Sequence, residues 1–136
     1  MPQEIDILVS EVGPRDGLQS IKRIMDTQDK LNWIKALAAS GIQEIEVGSF
    51  VSPRLLPQMA DCAKLVSETN KIDNLMVLAL VPNLKGAELA VAAGARKLTI
   101  PPSASHAHSI KNIGKTPAEA IEEVHRICKF RDNLPV

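Results

Sequence analysis

Apolar runs of strand length alternate with segments of helical period along the 136-residue chain, and this alternation restricts the fold more than any other feature. Residues 5–12 read as a strand. Past Asp26 and Thr27, either of which can cap a helix, Leu31, Ile34, Leu37 and Ala38 recur at helical spacing until Gly41 offers a stop. Residues 43–48 read as a second strand. Ser52 followed by Pro53 then predicts a second helix running to Val66, with Pro57 interrupting its first turns. Residues 75–81 form an unbroken apolar strand of the kind buried on both faces of a parallel sheet, and Pro82 and Asn83 lead from it into an alanine-rich helix that stops at Gly94. Residues 97–100 read as a fourth strand, and residues 101–115 as a long polar loop. Thr116 and Glu119 make a capping box around Pro117, which opens a last helix.

Strand–helix alternation of this kind implies an α/β fold with a parallel sheet and right-handed crossovers, either an open doubly wound sheet or a barrel. No glycine-rich phosphate loop follows the first strand, which weighs against a dinucleotide-binding sheet. A complete barrel of such units needs about 250 residues, so the roughly four units in residues 1–136, a single partial domain, amount to about half of one. Leu134, Pro135 and Val136 read as the approach to another strand.

Composition narrows the function classes. With 45% hydrophobic and 24% charged residues and a formal net charge of zero, the chain can bury a core and has no global attraction to nucleic acid or to a membrane surface. Aromatic residues make up 2% of the chain and tyrosine is absent, so the stacking platforms of a single-strand nucleic-acid binder are missing. No apolar run approaches the roughly 20 residues of a membrane span, and Met1-Pro2-Gln3-Glu4 has no signal-peptide character, so a cytoplasmic location is expected. Cys62 and Cys128 are isolated from each other, the pattern of buried free thiols in a reducing compartment.

Chemistry concentrates at two predicted strand tips. The first strand ends in Gly13-Pro14 and at once presents a cation and a carboxylate, Arg15 and Asp16; in parallel α/β folds such tips are where sites form, although a turn with two solvated charges has the same composition. Alternation along the second strand puts Glu44 and Glu46 on one face and Ile45 and Val47 on the other. Glu46, nearer the tip, is the better site candidate; the plainer alternative is a solvent-facing strand glutamate.

The string Glu11-Val12-Gly13-Pro14-Arg15-Asp16-Gly17-Leu18-Gln19 resembles the opening motif of the hydroxymethylglutaryl-CoA lyases, metal-dependent TIM-barrel enzymes that break a carbon–carbon bond in an acyl-CoA thioester. Glu46-Val47-Gly48-Ser49-Phe50-Val51-Ser52-Pro53, followed by Pro57-Gln58-Met59-Ala60-Asp61, is similar to the second signature of the same family. The resemblance runs from about Glu4 to the end of the chain and implies the first half of a (β/α)8 TIM barrel. Matched residue by residue, it implies that Asp16 ligates a divalent cation, Mg²⁺ or Mn²⁺. It likewise makes Arg15 a catalytic and substrate-binding residue that stabilises enolate charge, Glu46 a catalytic glutamate, and Gln19 and Ser49 substrate contacts. The implied partner is an acyl-CoA substrate, with no nucleic acid and no membrane, and a homo-oligomer is expected. The complete protein would cleave 3-hydroxy-3-methylglutaryl-CoA, or a related 3-hydroxyacyl-CoA, to acetyl-CoA and acetoacetate, and residues 1–136 alone would be inactive.

Several features fall outside the match. The family's metal-binding histidine pair comes from a later strand, so His106 and His108 read as part of a polar loop near the site mouth. Neither Cys62 nor Cys128 shares the context of the family's mobile-loop cysteine. Lys111 and Lys115 could meet coenzyme A phosphates or be ordinary solvated lysines. Two departures, Ser20-Ile21 where the family commonly has Asn-Glu and Gly48 in place of a threonine, are expected beside the pocket and put the acyl group in question. A related isopropylmalate- or homocitrate-type condensing enzyme is the alternative activity, with Leu18 standing where its motif usually has glutamate. A non-catalytic half-barrel that assembles with itself or with a complementary fragment is the alternative of another class.

Overall fold

The computed structural model describes residues 7–134. Strands β1 (Ser10–Glu11), β2 (Glu44–Ser49), β3 (Met76–Leu80) and β4 (Lys97–Thr99) lie side by side in chain order, every neighbouring pair parallel. Helices α1 (Thr27–Ala39), α2 (Cys62–Thr69), α3 (Leu84–Ala92), α4 (His106–Ile113) and α5 (Pro117–Asp132) fill the crossovers and follow β4.

The core decides which architecture this is. Ile45 and Val47 of β2 and Val77 and Ala79 of β3 pack against Leu31 and Ile34 of α1 and against Cys62, Leu65 and Val66 of α2. Val81, with Leu98 beside it, meets Ala87 and Ala90 of α3 and Ile127 of α5. Both clusters use the same face of the sheet, and truncating a fully buried member such as Ile34 to alanine would cost about 2–5 kcal/mol. A doubly wound sheet sends helices to both faces and reverses its strand order part way; an unreversed order with the packed helices on one face is an arc of a barrel.

Most helix starts follow the local chemistry. The Asp26 carboxylate accepts from the Gln28 N–H at 2.8 Å, the Asn83 side chain from the Gly86 N–H at 2.9 Å, and Thr116 and Glu119 close their capping box in both directions. Each such cap is worth about 1 kcal/mol.

Three expectations are corrected. The first strand is paired only over Ser10–Glu11, because its partner β2 begins at Glu44, shortly after the turn that ends α1; Ile5 and Asp6 lie outside the described residues, as do Pro135 and Val136. Ser52-Pro53 opens only a turn, in which the Leu55 and Leu56 N–H groups both donate to the Ser52 carbonyl. Pro57 then starts a separate 3₁₀ turn, and the helix begins at Cys62. The expected loop at 101–115 contains α4, capped by Ser105 at its start and ended by Gly114, whose φ of +67° disfavours other residues. Its polarity conceals it: α4 rests on α5 and has only a narrow face to bury, chiefly Ser109.

Candidate active site at the tips of the first two strands

Immediately after β1 the chain makes one turn of π-helix, Gly13–Gly17. The Arg15 and Asp16 N–H groups both donate to the Val12 carbonyl, at 3.1 and 2.7 Å, and the Gly13 N–H donates to Glu11 Oε1 at 2.6 Å. Such wide turns recur at functional sites because they re-aim side chains. A Cβ at Gly13 would lie 2.8 Å from Glu11 Oε1 and 3.1 Å from the Trp33 ring, so a larger residue would displace the carboxylate that caps this turn. Pro14 and Leu18 are buried and anchor the turn's two ends.

The turn delivers Arg15 to β2. Its Nε donates to Glu46 Oε2 at 2.5 Å and its Nη1 to Asp16 Oδ1 at 2.9 Å, while Nη2 has no partner among the described residues. Glu46 is only 2% exposed, so the solvent-facing alternative is wrong for it and equally for Glu44, which is buried and accepts from Lys97 Nζ at 2.7 Å. The second Glu46 oxygen, Oε1, and the Ser49 Oγ are buried and without hydrogen-bond partners. A buried polar atom left unpaired is costly, so both atoms suit a bound molecule's polar groups.

The spacing of Glu46 and Ser49 depends on a bulge. Register runs Glu46↔Leu78, then Gly48↔Ala79 and Ser49↔Leu80, so Val47 is the extra residue and Ser49 returns to the face of Glu46. Gly48 is left pointing the other way: a Cβ on it would meet Cys62 Sγ at 2.6 Å. The substitution of glycine at this place therefore faces α2, and the expectation that it borders the pocket is corrected. Burial pushes the Cys62 thiol up to about 12, and the neighbouring Asp61 charge adds to the effect, so it is no nucleophile.

The remaining candidates lie as follows. Asp16 is 59% exposed and paired only with Arg15. Gln19 is half-buried where the motif turn ends. A groove of about 470 Å³ opens beside the β2 tip, lined by Ser49, Phe50, Met59, Pro82, Asn83 and Lys85 among others. His106 and His108 stand on α4, where His108 Nδ1 bonds Ser103 Oγ at 2.8 Å. Lys115 is engaged by Glu123 at 2.9 Å, and Lys111 is exposed on α4. No group of three or more His, Cys, Asp or Glu side chains able to hold a metal exists among the described residues. Asp16 alone does not fit a hard cation that takes about six oxygen ligands.

Sequence reasoning missed Lys30, Asp61 and Trp33. Lys30 is 1% exposed, with Nζ 2.7 Å from Asp61 Oδ1. The available signal was a lysine set on the apolar stripe of α1, four residues before Ile34 and beside Leu31.

Comparison with known proteins bears on the family and the fold. Residues 6–134 match the family model described as HMGL-like. The chain is 42% identical over 126 residues to the mitochondrial hydroxymethylglutaryl-CoA lyase of Gallus gallus, an alignment covering 93% of this chain and 42% of that protein. The crystal structure of the Bacillus subtilis HMG-CoA lyase superposes with a TM-score of 0.88 at 34% identity, covering 98% of this chain and 46% of that one. An HMG-CoA lyase from Acinetobacter baumannii, solved with coenzyme A and 3-methylmalate, superposes with a TM-score of 0.85 at 36% identity over 90% of this chain and 40% of its own. The chain thus spans under half the length of these relatives.

Proposed function

The chain belongs to the HMGL-like family, and we propose that it supplies the catalytic arginine of a carbon–carbon lyase that cleaves 3-hydroxy-3-methylglutaryl-CoA, or a related 3-hydroxyacyl-CoA, to acetyl-CoA and acetoacetate. The observation that carries this reading is the Arg15–Glu46 pair: a guanidinium fixed at two nitrogens, with Nη2 unpaired among the described residues, beside a buried carboxylate whose second oxygen also lacks a partner.

In such a cleavage the 3-hydroxyl gives its proton to a base and its O–H electron pair becomes the C3=O bond of acetoacetate; the bond between C2 and C3 breaks, its pair moves through C2 onto the thioester oxygen, and a proton delivered to C2 then completes acetyl-CoA. Arg15 Nη2 donates to that oxygen as charge gathers there, a contribution of about 3 kcal/mol by analogy with other oxyanion donors. Glu46 holds the guanidinium in place through Oε2, and its Oε1 accepts a hydrogen bond from the substrate. Ser49, on the same face, and Gln19 contact the acyl group, and the groove past Ser49 receives the neighbouring part of the acyl-CoA. Asp16 would supply one ligand of a divalent cation, Mg²⁺ or Mn²⁺, and the described residues hold no set that would complete its shell; such a cation would lower the pKa of the substrate hydroxyl.

The test joins this chain to the remaining half of a relative's barrel and follows acetyl-CoA release from hydroxymethylglutaryl-CoA. Turnover is expected. Arg15→Lys should lower it by about 10²–10³-fold with Mn²⁺ affinity nearly intact, because an ammonium cannot reproduce the fork, whereas Asp16→Ala should lose the metal in calorimetric titration. A folded chimera without turnover, or equal loss of metal in both variants, overturns the assignment.

A further inference from the structure

Lys30 is a fully buried cation for which the proposed reaction has no direct use. Its Nζ donates to Asp61 Oδ1 at 2.7 Å and to the Gln58 carbonyl at 2.6 Å. Asp61 Oδ2 accepts from Thr27 Oγ1 at 2.8 Å, and Gln58 Nε2 donates to the Ile21 carbonyl at 2.7 Å. Four segments meet there: the first turns of α1, the Pro57–Met59 turn, the residue that precedes α2, and the stretch leaving the motif turn. The first two strand connections, which carry Arg15 at the start of one and follow Ser49 at the start of the other, are thereby tied to one ammonium group. Trp33, a turn further along α1, lies under Gly13 and touches the motif turn from the same side.

An apolar side chain on the stripe of α1 would fill this place without the desolvation that a buried charge brings, and buried ion pairs add little net stability over apolar packing. What an ammonium adds is direction, through several donors aimed at defined acceptors. We propose that Lys30 is a positioning residue for the candidate site: its contacts with Asp61 and Gln58 clamp the two loops so that Arg15 and Glu46 meet with Nη2 left open. This rests on the roles given above to Arg15 and Glu46.

The test reads the Arg15 Nε–H directly by ¹H–¹⁵N NMR of the chain, its resonance identified by its loss in Arg15→Lys. Bonded to a buried carboxylate, this proton should exchange slowly. In Lys30→Met it should exchange at least about tenfold faster, and acrylamide should quench Trp33, the one tryptophan, more strongly, with far-UV circular dichroism unchanged. Asp61→Asn removes the charge that Lys30 meets while keeping the side chain's size, and should move both signals the same way; it decides the matter if Lys30→Met does not fold. Lys97→Met, which breaks the Glu44 pair at the other end of β2, should move neither. Unchanged Arg15 exchange in a folded Lys30→Met or Asp61→Asn chain overturns the proposal, as does an equal change in Lys97→Met. A chimera that lacks turnover while these signals behave as expected defeats the lyase assignment and leaves the clamp standing.

Discussion

Gly48 sits where any side chain collides with Cys62 Sγ, and the two positions should therefore behave as a coupled pair. Gly48→Thr is expected to destabilise the chain by about 1–3 kcal/mol, the usual penalty for overpacking. Cys62→Ala should relieve most of it, with a coupling of about 0.5–3 kcal/mol in a double-mutant cycle followed by urea unfolding. An unchanged Gly48→Thr penalty in the Cys62→Ala background would mean that this contact is not the cause. At this scale the sequence was partly legible. Arg15, Asp16 and Glu46 could be singled out because a cation and carboxylates at strand tips are chemically unusual. That Arg15 Nε bonds Glu46 could not, since the two lie 31 residues apart and only the parallel pairing of β1 with β2 brings them together. Lys30 was passed over for a related reason: a lysine on a helix is ordinarily solvated, and its buried acceptors come from another connection.

Among the elements, α3 and α5 are joined by a carboxylate that neither helix advertises. Glu123 accepts from the Leu84 N–H, at the start of α3, at 2.7 Å and from Lys115 at 2.9 Å and Arg126 at 3.1 Å. The hydrogen bond from Lys115, followed by the one from Leu84, holds its carboxyl below the usual glutamate value. The unfolded chain titrates near ~4.3 and binds more protons than the native one just below that pH, so stability falls as pH drops from about 4.3 through the lower native value. Glu123→Gln should cost about 1–3 kcal/mol at neutral pH and flatten this acid limb of the stability curve; thermal unfolding of both proteins between about pH 3 and 7 tests it, and parallel acid limbs would remove Glu123 as the cause. Caps within one turn, as at Asp26 and Thr116, were legible because their partners are two or three residues away. Glu123 acts across 39 residues. The helix α4 was hidden because it buries chiefly Ser109 and so carries no broad apolar face.

For the whole molecule the open edges matter most. β1 and β4 each have one strand neighbour among the described residues, and Ile7, Leu8 and Val9 are 55–76% exposed beside β1. Unpaired edges with apolar flanks recruit other strands, so residues 1–136 by themselves should associate, either as a two-fold dimer that closes a barrel-like core or as aggregate. Light scattering across a concentration series, with proton NMR of the methyl region, checks this; a concentration-independent monomer with sharp, dispersed methyl signals would mean that the edges are covered. The alternation of four strands with helices, the caps at Asp26 and Thr116 and the residues able to carry charge were legible in the sequence itself, because periodicity and capping are local and each is readable within one or two turns of chain. Tertiary structure alone decided that the packed helices share one face of the sheet, that the bulge at Val47 brings Ser49 back beside Glu46 while turning Gly48 toward Cys62, and that Lys30 is buried between two loops. Each depends on which distant segments meet, and that is set by the packing of the whole sheet and its helices.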